Sequence, residues 1–261
     1  MMSNAEQRTD ALILDCNIDA LTWDEAVDRL TVWAAKRESR YVCICNVHSI
    51  VTARRRMEFR QVVNQADMAT CDGMPLAWYL RRNGYPRQQR INGPDLMWKC
   101  CERAQADGIP IFLYGATDET LLKLTRRLRQ VFPRLRLAGV YSPPFRELTV
   151  DEEEGVISLI NDSGAGFVFI SLGCPKQELW MARQRGKLPA VMVGVGAAFD
   201  YHAGVVKRAP GWMQNRGLEW LYRLMSEPRR LWRRYLTTNS LFVYYLFRQR
   251  MRAGKPGERS Y

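Results

Sequence analysis

Residues 166–181 read GFVFISLGCPKQELWM. An unbroken apolar run, rich in aromatic and β-branched types, stops at Gly173, and Pro175 then stands where a helix can start. A strand that is apolar at every position, rather than at every second one, is covered on both faces. The same unit recurs on either side. Apolar runs at 41–45, 66–71, 109–114, 135–141 and 190–195 read as strands, the first three ending at Asn46, Asp72-Gly73 and Gly115. Between them lie helical stretches with their own start and stop signals. Thr22–Glu25 and Thr149–Glu152 are capping boxes, Thr117 can cap a helix through Val131, Gly93-Pro94 opens a helix that Gly108 closes, and 47–65 reads as one helix. Strands alternating with helices of this length define βαβ units.

The fold class is therefore α/β, an open, mostly parallel, Rossmann-like sheet with helices on both faces. The chain has 261 residues, enough for one large domain or a domain with an appendage. With 47% hydrophobic and 25% charged residues, it is neither disordered nor fibrous. No apolar run approaches the roughly 20 residues of a membrane-spanning helix. The first ten residues, MMSNAEQRTD, have no apolar signal core, so a cytoplasmic location is expected. Seven cysteines without a C-x-x-C pair, and only two histidines, argue against a disulfide frame or a structural zinc site; the cysteines read as small buried hydrophobes.

Charge divides the chain. Of a net +12, residues 204–261 carry +10, with thirteen basic and three acidic side chains. From about 209 onward, tryptophan, tyrosine and arginine dominate, with a helix expected to start at Pro228 and to present Leu231, Trp232, Tyr235 and Leu236 on its apolar side. The expected division is an α/β body over 1–208 and a basic, aromatic helical appendage over 209–261, with 253–261 reading as disordered.

In an open parallel sheet, ligands bind beyond the carboxyl ends of the strands. The residues there are Asn46, Asp72-Gly73, Gly115, Gly173 to Glu178 with Lys176 and Gln177, and Gly194 leading to Asp200, types suited to a nucleotide or a sugar. There is no Walker loop, no G-x-S-x-G, and only a partial dinucleotide glycine pattern at 194–199. No Asp-x-Asp pair follows a strand, so a diphosphate would be neutralised by arginines or helix N-termini. Asp72 is the candidate general base, against the alternative of an ordinary helix cap. His48 shares the rim, and a packing role is the simpler reading for it.

Longer blocks carry a resemblance. GCPKQELWM (173–181), GVGAAFDYHAGVVKRAPGWMQNRGLEWLYRL (194–224), EPRRLWRR (227–234), TCDGMPLAW (70–78) and RINGPDL (90–96) resemble, in order, the signature blocks of the WecG/TagA/CpsF glycosyltransferase family. The resemblance implies an inverting, metal-independent enzyme without a cofactor. Such an enzyme moves a hexose from a UDP-sugar donor to a polyprenyl-diphosphate-linked saccharide acceptor, at the inner face of the cytoplasmic membrane. It makes 1–208 the nucleotide-sugar-binding catalytic domain and 209–261 a membrane-docking appendage that completes the active site. It implies Asp72 as base, Arg90 near the diphosphate and Gln177 facing the transferred sugar. Asn46 and Asp200 match donor-site positions, with Arg223, Arg230 and Arg233 contributed by the appendage, while Gly73, Gly115, Lys176 and Gly194 are substrate-binding candidates from their place on the rim. Ile44 stands where the family has a threonine. CICNVHSIVTA (43–53) is closer to the GumM-like exopolysaccharide branch, which adds glucose through a β-1,4 linkage; transfer of N-acetylmannosamine or its uronic acid is the alternative. A homo-oligomer stays open.

Apart from the family, aromatic and basic residues at helical spacing describe a helix lying in an anionic membrane surface. Two other classes compete. Aromatics among arginines also suit single-stranded nucleic acid, but the α/β body is not basic, so no nucleic-acid partner is expected. A UDP-sugar-binding protein without turnover is kept open by Ile44.

Overall fold

The computed structural model describes residues 10–253, without the side chains of Arg230, Arg252 and Ala253. The N-terminal residues read for a signal core, and the tail from 254 read as disordered, lie outside the described residues. In chain order the elements are β1 (Asp10–Ile13), β2 (Cys16–Asp19), α1 (Trp23–Ala35), β3 (Arg40–Cys45), α2 (Val47–Arg55), α3 (Met57–Asn64), β4 (Met68–Cys71) and α4 (Met74–Arg82). They continue with α5 (Gly93–Asp107), β5 (Ile111–Gly115), α6 (Asp118–Val131), β6 (Leu137–Tyr141), α7 (Val150–Asp162), β7 (Phe167–Ser171), α8 (Lys176–Gln184) and β8 (Val191–Gly194). The C-terminal part is α9 (Ala198–His202), α10 (Gly211–Asn215), α11 (Glu219–Ser226) and α12 (Pro228–Ala253).

Strands β3 to β8 form one sheet in the order β4-β3-β8-β7-β5-β6, parallel at every pairing. The all-apolar strands are explained by what lies on each face. Tyr41, Cys43, Phe112, Tyr114, Val168, Ile170 and Met192 belong to one apolar cluster, with side chains from α2, α3, α4, α7 and α8. Val42, Ile44, Ile111, Leu113, Phe167, Phe169, Val191 and Val193 belong to the other, with α1, α5, α6 and α9. Alternate residues of each strand thus point to opposite covered faces. Both expected capping boxes form, at Thr22 with Glu25 and at Thr149 with Glu152. Gly108 closes α5 in the left-handed conformation. Six of the seven cysteines are buried, and Cys174 is partly so.

Three features differ from the sequence reading. The helix expected over 47–65 is two helices, because Arg56 adopts an extended φ of −125° and ψ of 107°. An antiparallel hairpin, β1–β2, precedes α1; its turn residues Leu14 and Asp15 both have positive φ, 48° and 69°. The expected apolar side of α12 is split. Leu231 is buried and Tyr235 half-buried against the body, whereas Trp232 and Leu236 are exposed.

The appendage lies on the body through several seams. Helix α12 packs along α2, with Leu231 and Phe242 buried and Arg54 of α2 over the Tyr245 ring. Gly217, at φ 73°, brings the turn before α11 so close to α4 that a Cβ there would sit 2.8 Å from that of Met74.

Gly115 ends β5 with φ at 117°, and a Cβ on it would collide with the Ser171 carbonyl of β7. Gly115→Ala combines a disfavoured backbone with a clash against backbone, so thermal melting should show a Tm fall of at least ~4 °C; an unchanged Tm would refute this packing constraint.

Candidate active site

The carboxyl ends of the strands open into one cleft of about 1140 Å³, which runs from the sheet rim to the inner side of α12. That exceeds the ~300–1,000 Å³ of an ordinary small-ligand pocket. Of the residues singled out in the sequence, Asn46, Asp72, Gly73, Arg90, Gln177, Gly194, Asp200 and Arg223 line it. Gly115 does not, although Ala116 and Thr117 just after it do. Lys176 is exposed on the first turn of α8 and Arg233 is exposed on α12, over the Trp232 ring at 5.2 Å; neither lines the cleft. The side chain of Arg230 lies outside the described residues.

Asp72 sits at the tip of β4, its N–H donating to the Cys45 carbonyl of β3 at 2.8 Å. The segment before α5 returns to the same tip. The Ile91 N–H donates to the Cys71 carbonyl at 2.8 Å, and the Thr70 hydroxyl donates to the Ile91 carbonyl at 3.2 Å. These bonds place Arg90 beside Asp72. Arg90 Nε donates to the Asp72 carbonyl at 2.5 Å, and Nη2 lies 3.3 Å from Asp72 Oδ1 and 2.5 Å from Glu219 Oε2 of α11. Glu219 Oε1 in turn accepts from Arg208 Nε at 3.3 Å. Arg208 is held by both carboxylate oxygens of Asp95, at 2.5 and 2.9 Å. Asn92 and Asp95 belong to the first turn of α5, where the Asn92 side chain caps the helix.

The cleft walls push the Asp72 carboxyl pKa above its ordinary value through burial. Glu219 adds to the rise, and Arg90 and Arg223 oppose it. Arg223, on α11, lies over the Tyr201 ring at 5.8 Å, and its Nε has no hydrogen-bond partner. Asn46 both lines the cleft and caps α2, its Oδ1 accepting from the Ser49 N–H at 3.2 Å. Ile44 also lines the cleft, so no hydroxyl is presented at that position. Burial and Arg234 lower the His48 pKa to about 4, leaving a neutral ring near pH 7.

Gln177 and Glu178 are both almost fully buried in the floor. Gln177 Nε2 donates to Glu178 Oε1 at 2.9 Å, while Gln177 Oε1 and Glu178 Oε2 have no hydrogen-bond partner. Gly194 makes room for this pair, since a Cβ there would lie 2.9 Å from Gln177 Nε2. Among the described residues, no group of three His, Cys, Asp or Glu side chains could hold a metal ion.

Sequence reasoning named Glu178 only as the end of the rim stretch 173–178 and gave none of Glu219, Arg208 and Arg234 as site residues. Glu178 adjoins Gln177 in a quoted block and Glu219 lies in another, but nothing local marks a glutamate as buried.

The fold and site define an open α/β protein with one large cleft at the sheet rim. The model of the Glycosyl transferase WecG/TagA/CpsF family matches residues 11–256, and the chain belongs to this family. It is a glycosyltransferase of a bacterial polysaccharide-synthesis family, which implies a UDP-sugar donor and a lipid-linked acceptor.

Burial raises the Glu178 pKa from 4.5 to about 7, with the Gln177 amide and Arg234 acting against it. Between those values the native state keeps a proton that the unfolded chain releases, so stability falls as pH rises through the window and is level above it. Glu178→Gln removes this slope. Calorimetry at about pH 5 and about pH 8 should show the variant gaining stability over wild type mainly at the higher pH, and equal differences at both would refute the assignment.

Proposed function

We propose that the protein transfers a hexose, with inversion and without a metal, from a UDP-sugar to a polyprenyl-diphosphate-linked saccharide in bacterial surface or exopolysaccharide synthesis. Glucose in a β-1,4 linkage is the preferred product class, from the likeness of residues 43–53; N-acetylmannosamine or its uronic acid is the alternative. The observation that carries the reaction type is the Asp72 carboxylate at the rim, next to Arg90 and in one cleft with Gln177.

In this reading Asp72 accepts the proton of the acceptor hydroxyl as its oxygen attacks the anomeric carbon. The new C–O bond forms on the face opposite the nucleotide. The bond from the anomeric carbon to the diphosphate oxygen breaks, and UDP leaves with the electron pair. A carboxylate of raised pKa is the stronger base for this step. Arg90 and Arg223 meet the charge that grows on the diphosphate, as preorganised donors in a site partly closed to water. Gln177 and Gly194 form the floor against which the transferred sugar lies, with Asn46, Gly73 and Asp200 on the walls.

The division into a catalytic body over 1–208 and an appendage over 209–261 belongs to the same proposal. Trp232, Leu236, Val243, Tyr244, Phe247 and Met251 are exposed along α12, with Arg229, Arg233, Arg248 and Arg250 exposed among them. No described helix is long and apolar enough to cross a membrane. An apolar surface interleaved with arginines suits the boundary of an anionic leaflet, where a lipid-linked acceptor resides.

The deciding experiment is UDP release by the purified protein with a panel of UDP-sugars and a short-chain polyprenyl-diphosphate monosaccharide. One donor should be turned over, and Asp72→Asn should lower its rate about 10²- to 10⁴-fold. Equal rates would make Asp72 a structural residue, and silence with every donor would favour a binding protein without turnover. In a separate sedimentation assay the protein should pellet with vesicles containing anionic lipid, and less so as salt rises; binding only to single-stranded nucleic acid would overturn the membrane reading.

A further inference from the structure

The short contact of Arg90 Nη2 is with the appendage and not with the Asp72 carboxylate. This nitrogen is 2.5 Å from Glu219 of the appendage and 3.3 Å from Asp72. Arg90 cannot follow Glu219 far, because its Nε is held on the Asp72 carbonyl and its backbone neighbour is bonded to β4. Glu219 is fixed as well. It opens α11, its second oxygen takes Arg208, and the preceding turn is pressed on Met74 through Gly217. The side chains of Arg90 and Glu219 are only 16% and 13% exposed, so their charges act through a poorly screened medium.

We propose that Glu219 is the positioning residue through which the docked appendage sets the strength of the base: by drawing Arg90 Nη2 to itself, it keeps that guanidinium from neutralising the Asp72 carboxylate. The inference rests on Asp72 being the base. When the appendage is docked, Arg90 divides its charge between two carboxylates. Without the Glu219 carboxylate, Nη2 has Asp72 as its nearest anion, and the same guanidinium that already holds the Asp72 carbonyl closes on its side chain. A fully paired carboxylate is a weaker base.

The other groups facing Asp72 do not change this competition. They are Arg223 on α11, Tyr201 on α9, Tyr235 on α12 and Cys71 on β4. Burial holds the Asp72 pKa up, and Glu219 raises it further, while Arg90 lowers it. Loss of the Glu219 charge therefore moves Asp72 downward by two routes, the lost repulsion and the tighter pairing with Arg90. Activity would in this way be tied to docking of the appendage on the body.

The test is the pH profile of UDP release by the full chain, with the donor and acceptor found by the panel, for wild type, Glu219→Gln and Glu219→Asp. In Glu219→Gln the acid limb, where the base loses its proton, should move to lower pH. The plateau should fall roughly ten-fold, a part of the about 10²–10⁴ that general-base help supplies, with the donor KM changing less than kcat. Glu219→Asp keeps the charge and should keep the limb near its wild-type position. A lower plateau with an unmoved limb in Glu219→Gln would show a purely structural role and overturn the inference. If Glu219→Gln melts early, Glu219→Asp carries the test, and a limb displaced to lower pH in that variant would overturn it equally. Failure of the underlying reading is separate: Asp72→Asn would then match wild type whatever Glu219 does.

Discussion

Strands that are apolar along nearly their whole length are stable only when helices cover both faces of the sheet they form. Each crossover must then return the chain to the same starting edge, so every strand ends at the opposite one. The cleft follows from this constraint. Asn46 after β3, Asp72 after β4, Gln177 after β7 and Gly194 at the end of β8 come from widely separated parts of the chain and line one cavity. The strand order sharpens the placement. From β3 the chain moves outward to β4, then crosses to lay down β5 and β6 on the other side and fills back through β7 to β8 beside β3. The point of reversal lies between β3 and β8, where an open α/β sheet leaves its crevice.

A rim alone is open to water, and here the appendage forms the other wall. Besides the apolar packing of α12, a run of alternating charges ties it there, from Asp72 through Arg90, Glu219 and Arg208 to Asp95. Charges as poorly exposed as those of Arg90 and Glu219 are tolerated because each is paired with an opposite one; removing one member leaves another uncompensated. The run joins the tip of β4, the start of α5, the linker before α10, and α11. Geometry at Asp72 and packing of the C-terminal helices are thereby one property of the molecule.

Much of the body was legible in the sequence because its signals are local. An all-apolar run, a capping box or a glycine at a helix end is set by neighbours a few residues away, and the sheet, its helices and the rim residues could be read from them. The β1–β2 hairpin escaped because its turn is Leu14-Asp15, without the Asn-Gly or Asp-Gly pair that usually marks two successive positive φ values. The break at Arg56 escaped because neither glycine nor proline signals it. In α12, apolar residues lie on more than one face, so periodicity could not say which of them turn inward; the packing on α2 brings Leu231 and Phe242 into the core and leaves Trp232 and Leu236 outside.

The sequence by itself determined the fold class, the family, and the placing of Asp72, Arg90 and Gln177 at one cleft. Each of these rests on short-range pattern or on contiguous blocks of residues. Only the tertiary structure decided which charges meet. Arg90 and Glu219 are 129 positions apart, Lys176 and Arg233 lie outside the cleft while Arg234 lines it, and Glu178 is buried beside Gln177. A side chain's charge is written in the sequence, but its dielectric surroundings and its partner are set by whichever distant segments the fold packs against it.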